Sequence, residues 1–124
     1  MNLYAKLVTN TTTMDLGDPD IVSNYMVRLS FSSSDAVDYE ALHEIMEKKG
    51  FSRTVLNKNA EKFKNLEATY LIARPKDYPV DGVFAEAAQI VSAFKRDHKL
   101  GGVQIRLMVL RVVEGMFKDL ELAN

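Results

Sequence analysis

Apolar and polar residues alternate over residues 24–31 (NYMVRLSF). Tyr25, Val27, Leu29 and Phe31 fall on one face, and Met26, Arg28 and Ser30 on the other. A period of two predicts a half-buried strand. The serines at 32–34 predict a turn. Asp35 is placed to cap a helix, and Asp38 adds a second negative charge near the positive end of its dipole. Tyr39, Leu42, Ile45 and Met46 then recur at helical spacing, and Gly50 stands where a glycine cap belongs, so a helix is predicted over 35–49. Alternation returns over 51–56 (FSRTVL), a second strand. Residues 57–65 (NKNAEKFKN) are polar and lysine-rich, and predict a hairpin loop. Residues 66–73 (LEATYLIA) predict a third strand, ended by Arg74-Pro75 because proline lacks the N–H a ladder needs. A second helix is expected from about Asp81, with Phe84, Ala87, Ala88, Val91 and Phe94 as its apolar stripe and Leu100-Gly101-Gly102 as its stop. Residues 103–113 (VQIRLMVLRVV) form the most apolar stretch and predict a central or well-covered fourth strand. Residues 114–122 are read as a short closing helix, with Gly115 against it.

The resulting order, β-α-β-β-α-β, predicts an α+β ferredoxin-like sandwich. Two amphipathic helices would cover one face of a four-stranded antiparallel sheet. Right-handed crossovers then give the strand order 4-1-3-2. Residues 1–22 stand apart as an N-terminal arm or an extra edge strand, with 2–9 (NLYAKLVT) alternating, and 23–124 read as one domain.

Length and composition narrow the classes. A chain of 124 residues buries about two-thirds of its unfolded surface and holds a core without staples. There is no cysteine, which excludes disulfides and cysteine-based metal sites and suits a reducing compartment. The N-terminus lacks the apolar core of a signal peptide, and no window approaches the roughly 18 apolar residues of a membrane span. The expectation is a cytoplasmic protein with no membrane partner. Sixteen basic residues nearly cancel seventeen acidic ones, so any nucleic-acid binding must come from a local patch.

Motifs that carry chemistry are few. There is no glycine-rich phosphate loop, no nucleophile elbow and no metal-binding histidine pair. His43 lies mid-helix between Glu40 and Glu44. It reads as a boundary histidine or, more sharply, as a general acid–base group, since its pKa lies near working pH. His98 falls at a helix C-terminus, where positive charge offsets the dipole. Lys58, Lys62 and Lys64 with Phe63 fit either a solvated hairpin tip or a grip on a single-stranded backbone with one stacked base. Arg28, Arg53, Arg106 and Arg111 lie on strands. Asp35 and Asp81 are explained as helix caps, and with Asp38 and Asp77 they form only a weak candidate pair of carboxylate sites for a metal. No metal and no cofactor are expected.

One family shares a pattern with part of the chain. Tyr25-Met26-Val27, the serine turn at 32–34, Leu42, Ile45-Met46, Phe51-Ser52, Val55 and Leu66-Glu67 leading to Tyr70 resemble the GhoS family of type V antitoxins. The likeness covers residues 25–73. It implies a ferredoxin-like fold shared with the CRISPR adaptation nucleases, and an endoribonuclease acting on a toxin messenger RNA. Ser30 stands where the family pattern carries an aspartate, and His43 where it carries a basic residue; the strand-three aromatic is kept as Tyr70. Loss of the acid disfavours metal-dependent cleavage and leaves His43 as a group that could activate an RNA 2′-hydroxyl without metal. On that reading His43→Ala abolishes cleavage with little change in thermal midpoint.

Two functions follow. The first is a GhoS-like RNA-binding antitoxin. Single-stranded RNA would lie across the sheet or along the hairpin, with Arg28, Arg53, Lys62 and Lys64 available to phosphates and Tyr70 or Phe63 stacking. The second is a non-catalytic interaction or inhibitor module for a protein partner, of the kind phages and mobile elements encode. The fold alone does not choose between them. In either case a homodimer could form through the N-terminal or the last strand.

Overall fold

The computed structural model describes residues 11–123. They form β1 (Thr12–Thr13), β2 (Val22–Phe31), a 3-10 turn (Ser34–Ala36), α1 (Tyr39–Lys48), β3 (Thr54–Leu56), β4 (Lys62–Lys64), β5 (Thr69–Pro75), α2 (Val80–Asp97), β6 (Ile105–Val112) and β7 (Met116–Phe117). The expected strand-like segment at 2–9 lies outside the described residues. The chain is α+β, with two α-helices and antiparallel sheets.

The main sheet has three strands in the order β5-β2-β6. Register places Tyr25 opposite Ile72 and Val27 opposite Tyr70 on one side, and Val27 opposite Val109 and Leu29 opposite Leu107 on the other. The face so defined carries the core. Tyr25, Val27, Leu29, Tyr70 and Ile72 are buried there with Leu42 and Met46 of α1 and Val83, Ala87, Ile90, Val91 and Phe94 of α2. Burial of these side chains is the main stabilising term, at roughly 1.5–3 kcal/mol for each large one.

Several expectations are corrected. The first helix does not start at Asp35. Val37 adopts an extended backbone and is buried, which interrupts the helix, and α1 restarts behind Asp38, whose Oδ1 accepts from Ala41 N–H at 3.2 Å. The expected second strand, at 51–56, is not a full member of the main sheet. Ser52 alone reaches β5, exchanging bonds of 2.7 and 2.9 Å with Leu71, before the chain turns away into β3. The hairpin loop at 57–65 is shorter than expected, because Lys62-Phe63-Lys64 itself alternates and pairs with β3 as β4.

The stripe of α2 is rotated. Val83 is buried, whereas Phe84 is 45% exposed. At 100° per residue Ile90 lies about 20° from Val83 but about 120° from Phe84, so a stripe that buries Ile90 cannot also bury Phe84. The last strand is neither central nor well covered: β6 is an edge of the main sheet among the described residues, and its Met108 and Leu110 are about half exposed.

No closing helix forms at 114–122. Asp119 has a φ of 60°, which breaks a helix. Instead β7 pairs with β1, and the tail runs beside β4, with Lys64 N–H bonded to Glu121 C=O at 2.7 Å and Ala123 N–H to Lys62 C=O at 2.9 Å. Residues 12–15 are likewise no free arm. Met14 is buried, it bridges Asn57, and Asp15 N–H bonds Leu56 C=O at 2.8 Å. These short strands make a second β layer. A cavity of about 200 Å³ lined by Met14, Met26, Met116, Phe117 and Leu120 marks where that layer lies over the second face of the main sheet.

Candidate functional site

Three elements converge on His43. The α1 helix presents it half-buried, one turn after Tyr39 and one turn before Glu47. The β5 strand brings Tyr70 beneath it, because Tyr70 alternates onto the helix-covered face. The segment entering β3 supplies Arg53.

His43 Nδ1 lies 2.7 Å from Tyr70 Oη, and the two rings meet edge to face with centroids 5.7 Å apart. Arg53 Nη1 donates to the carbonyls of Asn65 at 3.3 Å, Leu66 at 2.6 Å and Thr69 at 3.3 Å. Those carbonyls converge because the chain turns sharply there, with Ala68 at a φ of 54°. The anchored guanidinium lies 5.8 Å from the centre of the Tyr70 ring.

The electrostatics follow from this placement. Burial lowers the pKa of His43 below its ordinary value, and the Arg53 charge lowers it further; Glu40, Glu47 and Glu67 oppose them. His43 is therefore neutral at pH 7 and available as a base. Burial pushes the Tyr70 phenol well above its ordinary range, so Tyr70 keeps its proton. Either group can donate across this contact, and with His43 Nδ1–H as the donor the lone pair stands on Nε2. This is the orienting logic by which a fixed partner on one ring nitrogen readies the other.

His43 opens into a cleft of about 750 Å³. One lip is the acidic row Glu40, Glu44 and Glu47 on α1; the other carries Thr54, Lys64 and Ala123, with Arg53 between. Lys64 also lies 3.7 Å from Glu121 in an exposed pair. Among the described residues, no three histidine or acidic side chains are grouped to hold a metal ion. Asp38 is engaged as the α1 cap, and Asp77 lies 3.9 Å from Arg111.

The structure thus gathers His43, Arg53, Lys64 and Tyr70, and places the other candidates elsewhere. Lys62 is exposed on β4 beside the cleft. Phe63 points away from it and packs on Phe117, with centroids 4.8 Å apart. Arg28 is on the second face of the sheet, grouped with Arg106 and Met108. The stacking role expected for Tyr70 is corrected, since Tyr70 is 0% exposed; Phe63 is half-buried under the tail. The sheet-face route for RNA loses its stacking platform as well, because Tyr25, Phe31 and Tyr70 all face the helices. His98 stacks on Phe94 at 4.2 Å.

Sequence reasoning did not foresee the triple carbonyl anchor of Arg53, which depends on a turn no local motif announces. Of the acidic lip, Glu40 and Glu44 stand out in the sequence beside His43, and Glu47 does not. No helix among the described residues is long and apolar enough to cross a membrane. Compared with known protein families, curated proteins and solved structures, the chain matches none.

Proposed function

We propose that this chain is a GhoS-like RNA-binding antitoxin of the cytoplasm, built on a ferredoxin-like sandwich whose second strand has shrunk to the Ser52 bridge. Single-stranded RNA, such as a toxin message, runs along the β3–β4 lip of the cleft and is cut beside His43 without metal. The observation that carries this reading is the 2.7 Å contact between His43 Nδ1 and Tyr70 Oη beside the anchored Arg53. It supplies a neutral base, its orienting partner and a fixed positive charge within one cleft. His43 Nε2 takes the proton of a ribose 2′-hydroxyl, and the 2′-oxygen attacks the adjacent phosphorus. The 5′-oxygen leaves, protonated by water, to give a 2′,3′-cyclic phosphate. Arg53 faces the charge that builds on the phosphoryl oxygens.

The acidic lip confines the strand to the basic side, so few phosphates are contacted. If Arg53, Lys62 and Lys64 each neutralise one, the slope of log K against log salt is about −2. The test is cleavage of a labelled single-stranded RNA pool by wild type and His43→Asn. Asparagine keeps a polar atom near the Nδ1 position for Tyr70 and has no proton acceptor in place of Nε2. The expected result is binding with the same shallow slope and no cleavage. Cleavage retained by His43→Asn removes His43 from the chemistry; absence of any RNA binding at low salt removes the RNA reading. In that case the exposed apolar residues Phe84, Met108 and Leu110 favour the second reading, a non-catalytic module that docks a protein.

A further inference from the structure

We propose that two copies of this chain join through the outer edge of β6, making one continuous sheet β5-β2-β6-β6-β2-β5 across a two-fold axis. The inference is independent of the RNA reading.

It begins with which backbone groups face outward. Ser32 and Gln104 extend the β2–β6 ladder, with Ser32 N–H bonded to Gln104 C=O at 2.9 Å. Antiparallel ladders alternate, so the even residues Arg106, Met108, Leu110 and Val112 turn their N–H and C=O groups toward β2. The odd residues Ile105, Leu107, Val109 and Arg111 present theirs to the open edge, where no described strand pairs with them. Natural edges of this length are normally blunted by proline, charged side chains, a bulge or a covering segment. Within Ile105–Val112 (IRLMVLRV) there is no proline, β6 pairs with β2 residue for residue without a bulge, and the only charges are Arg106 and Arg111.

The partner that fits this edge is a second copy. A two-fold normal to the sheet keeps the helix-covered faces on the same side, which requires that each pair combine residues of like parity. Centred on Met108, the axis sets Ile105 against the second copy's Arg111, and Leu107 against its Val109. All four outward residues of each copy are then matched, for about eight new backbone hydrogen bonds. Like charges are kept apart by the same rule. Arg106 is even and Arg111 odd, so they can never be directly opposed, and Arg106 meets Leu110 instead. The net charge of −1 adds no general repulsion between copies. On the second face of the sheet, Met108 meets itself and Leu110 is covered; these two are 48% and 49% exposed in the single chain.

The same geometry supplies the test. At a non-hydrogen-bonded pair the two Met108 Cα atoms approach to about 4.5 Å, within the range a disulfide spans. The chain has no cysteine, so Met108→Cys carries a single thiol. It is expected to form a covalent dimer under mild oxidation, whereas Ser30→Cys, an exposed residue on β2, is not. Sedimentation of the wild-type chain at tens of micromolar is expected to give a dimer. Met108→Lys, which sets like charges face to face, is expected to give a folded monomer with unchanged circular dichroism. A wild type that sediments as a monomer overturns the proposal. So does a dimer that survives Met108→Lys with no cross-link through Met108→Cys.

Discussion

Arg53→Met separates the two jobs assigned to Arg53. Methionine keeps much of the aliphatic volume but removes the charge and the donor shared by the carbonyls of Asn65, Leu66 and Thr69. A hydrogen bond from a charged group contributes about 1.5–3 kcal/mol. The three bonds share one nitrogen, and the site is only partly buried, so water replaces some of what is lost. The net cost is about 2 kcal/mol, or about 6–10 °C in thermal midpoint for a domain of this size. The second effect is on His43. Removing the positive neighbour lifts its pKa, because the Arg53 charge is the second cause of the lowering, after burial. Thermal denaturation followed by circular dichroism reads the first effect, and an NMR titration of the His43 ring protons reads the second. Arg53→Lys divides them: the charge is kept and the planar fork is lost, so stability falls while the His43 pKa stays low. A His43 pKa unmoved by Arg53→Met would refute the electrostatic account of the cleft.

Two further outcomes are expected. The folded pKa of His43 lies below that of the unfolded chain, so the unfolded state takes up the proton first as pH falls. The His43 contribution to stability is whole above about pH 6.5 and is lost below it. Urea midpoints at pH 7.5 and 5 should therefore differ more for wild type than for His43→Asn, and an equal difference would contradict the burial of His43. Gly50 has a φ of 91°, and a Cβ there would lie 3.7 Å from Ile72 Cδ1, an ordinary contact. Gly50→Ala should thus cost only backbone strain, about 1–2 kcal/mol, read as a lowered urea midpoint with an unchanged slope. No loss would mean that α1 is not closed by a left-handed residue.

Much of the fold was legible because its signals are local. The alternation of Tyr25, Val27, Leu29 and Phe31 places β2, and Leu42 and Met46 place α1, from spacing alone. The elements that were misread are those decided at long range. Residues 114–122 carry enough apolar spacing for a short helix, but they extend because β1 and β4 offer edges to pair with, and those edges come from about 100 and 60 residues earlier in the chain. The high apolar content of β6 suggested a central position; it is an edge strand, with half-buried residues on its helix side and exposed Met108 and Leu110 on the other. In the site, His43 stood out by its chemistry. Its partnership with Tyr70 was not legible, since 27 residues separate them and only the stacking of α1 on β5 brings them together.

An RNA cleft organised around His43 is tested by following backbone amide chemical shifts while a short single-stranded RNA is added. Shifts are expected at His43, Arg53, Thr54 and Lys64, fading at high salt. Shifts confined to Arg28, Arg106 and Met108 on the other face of the sheet, or no shifts at all, would contradict it.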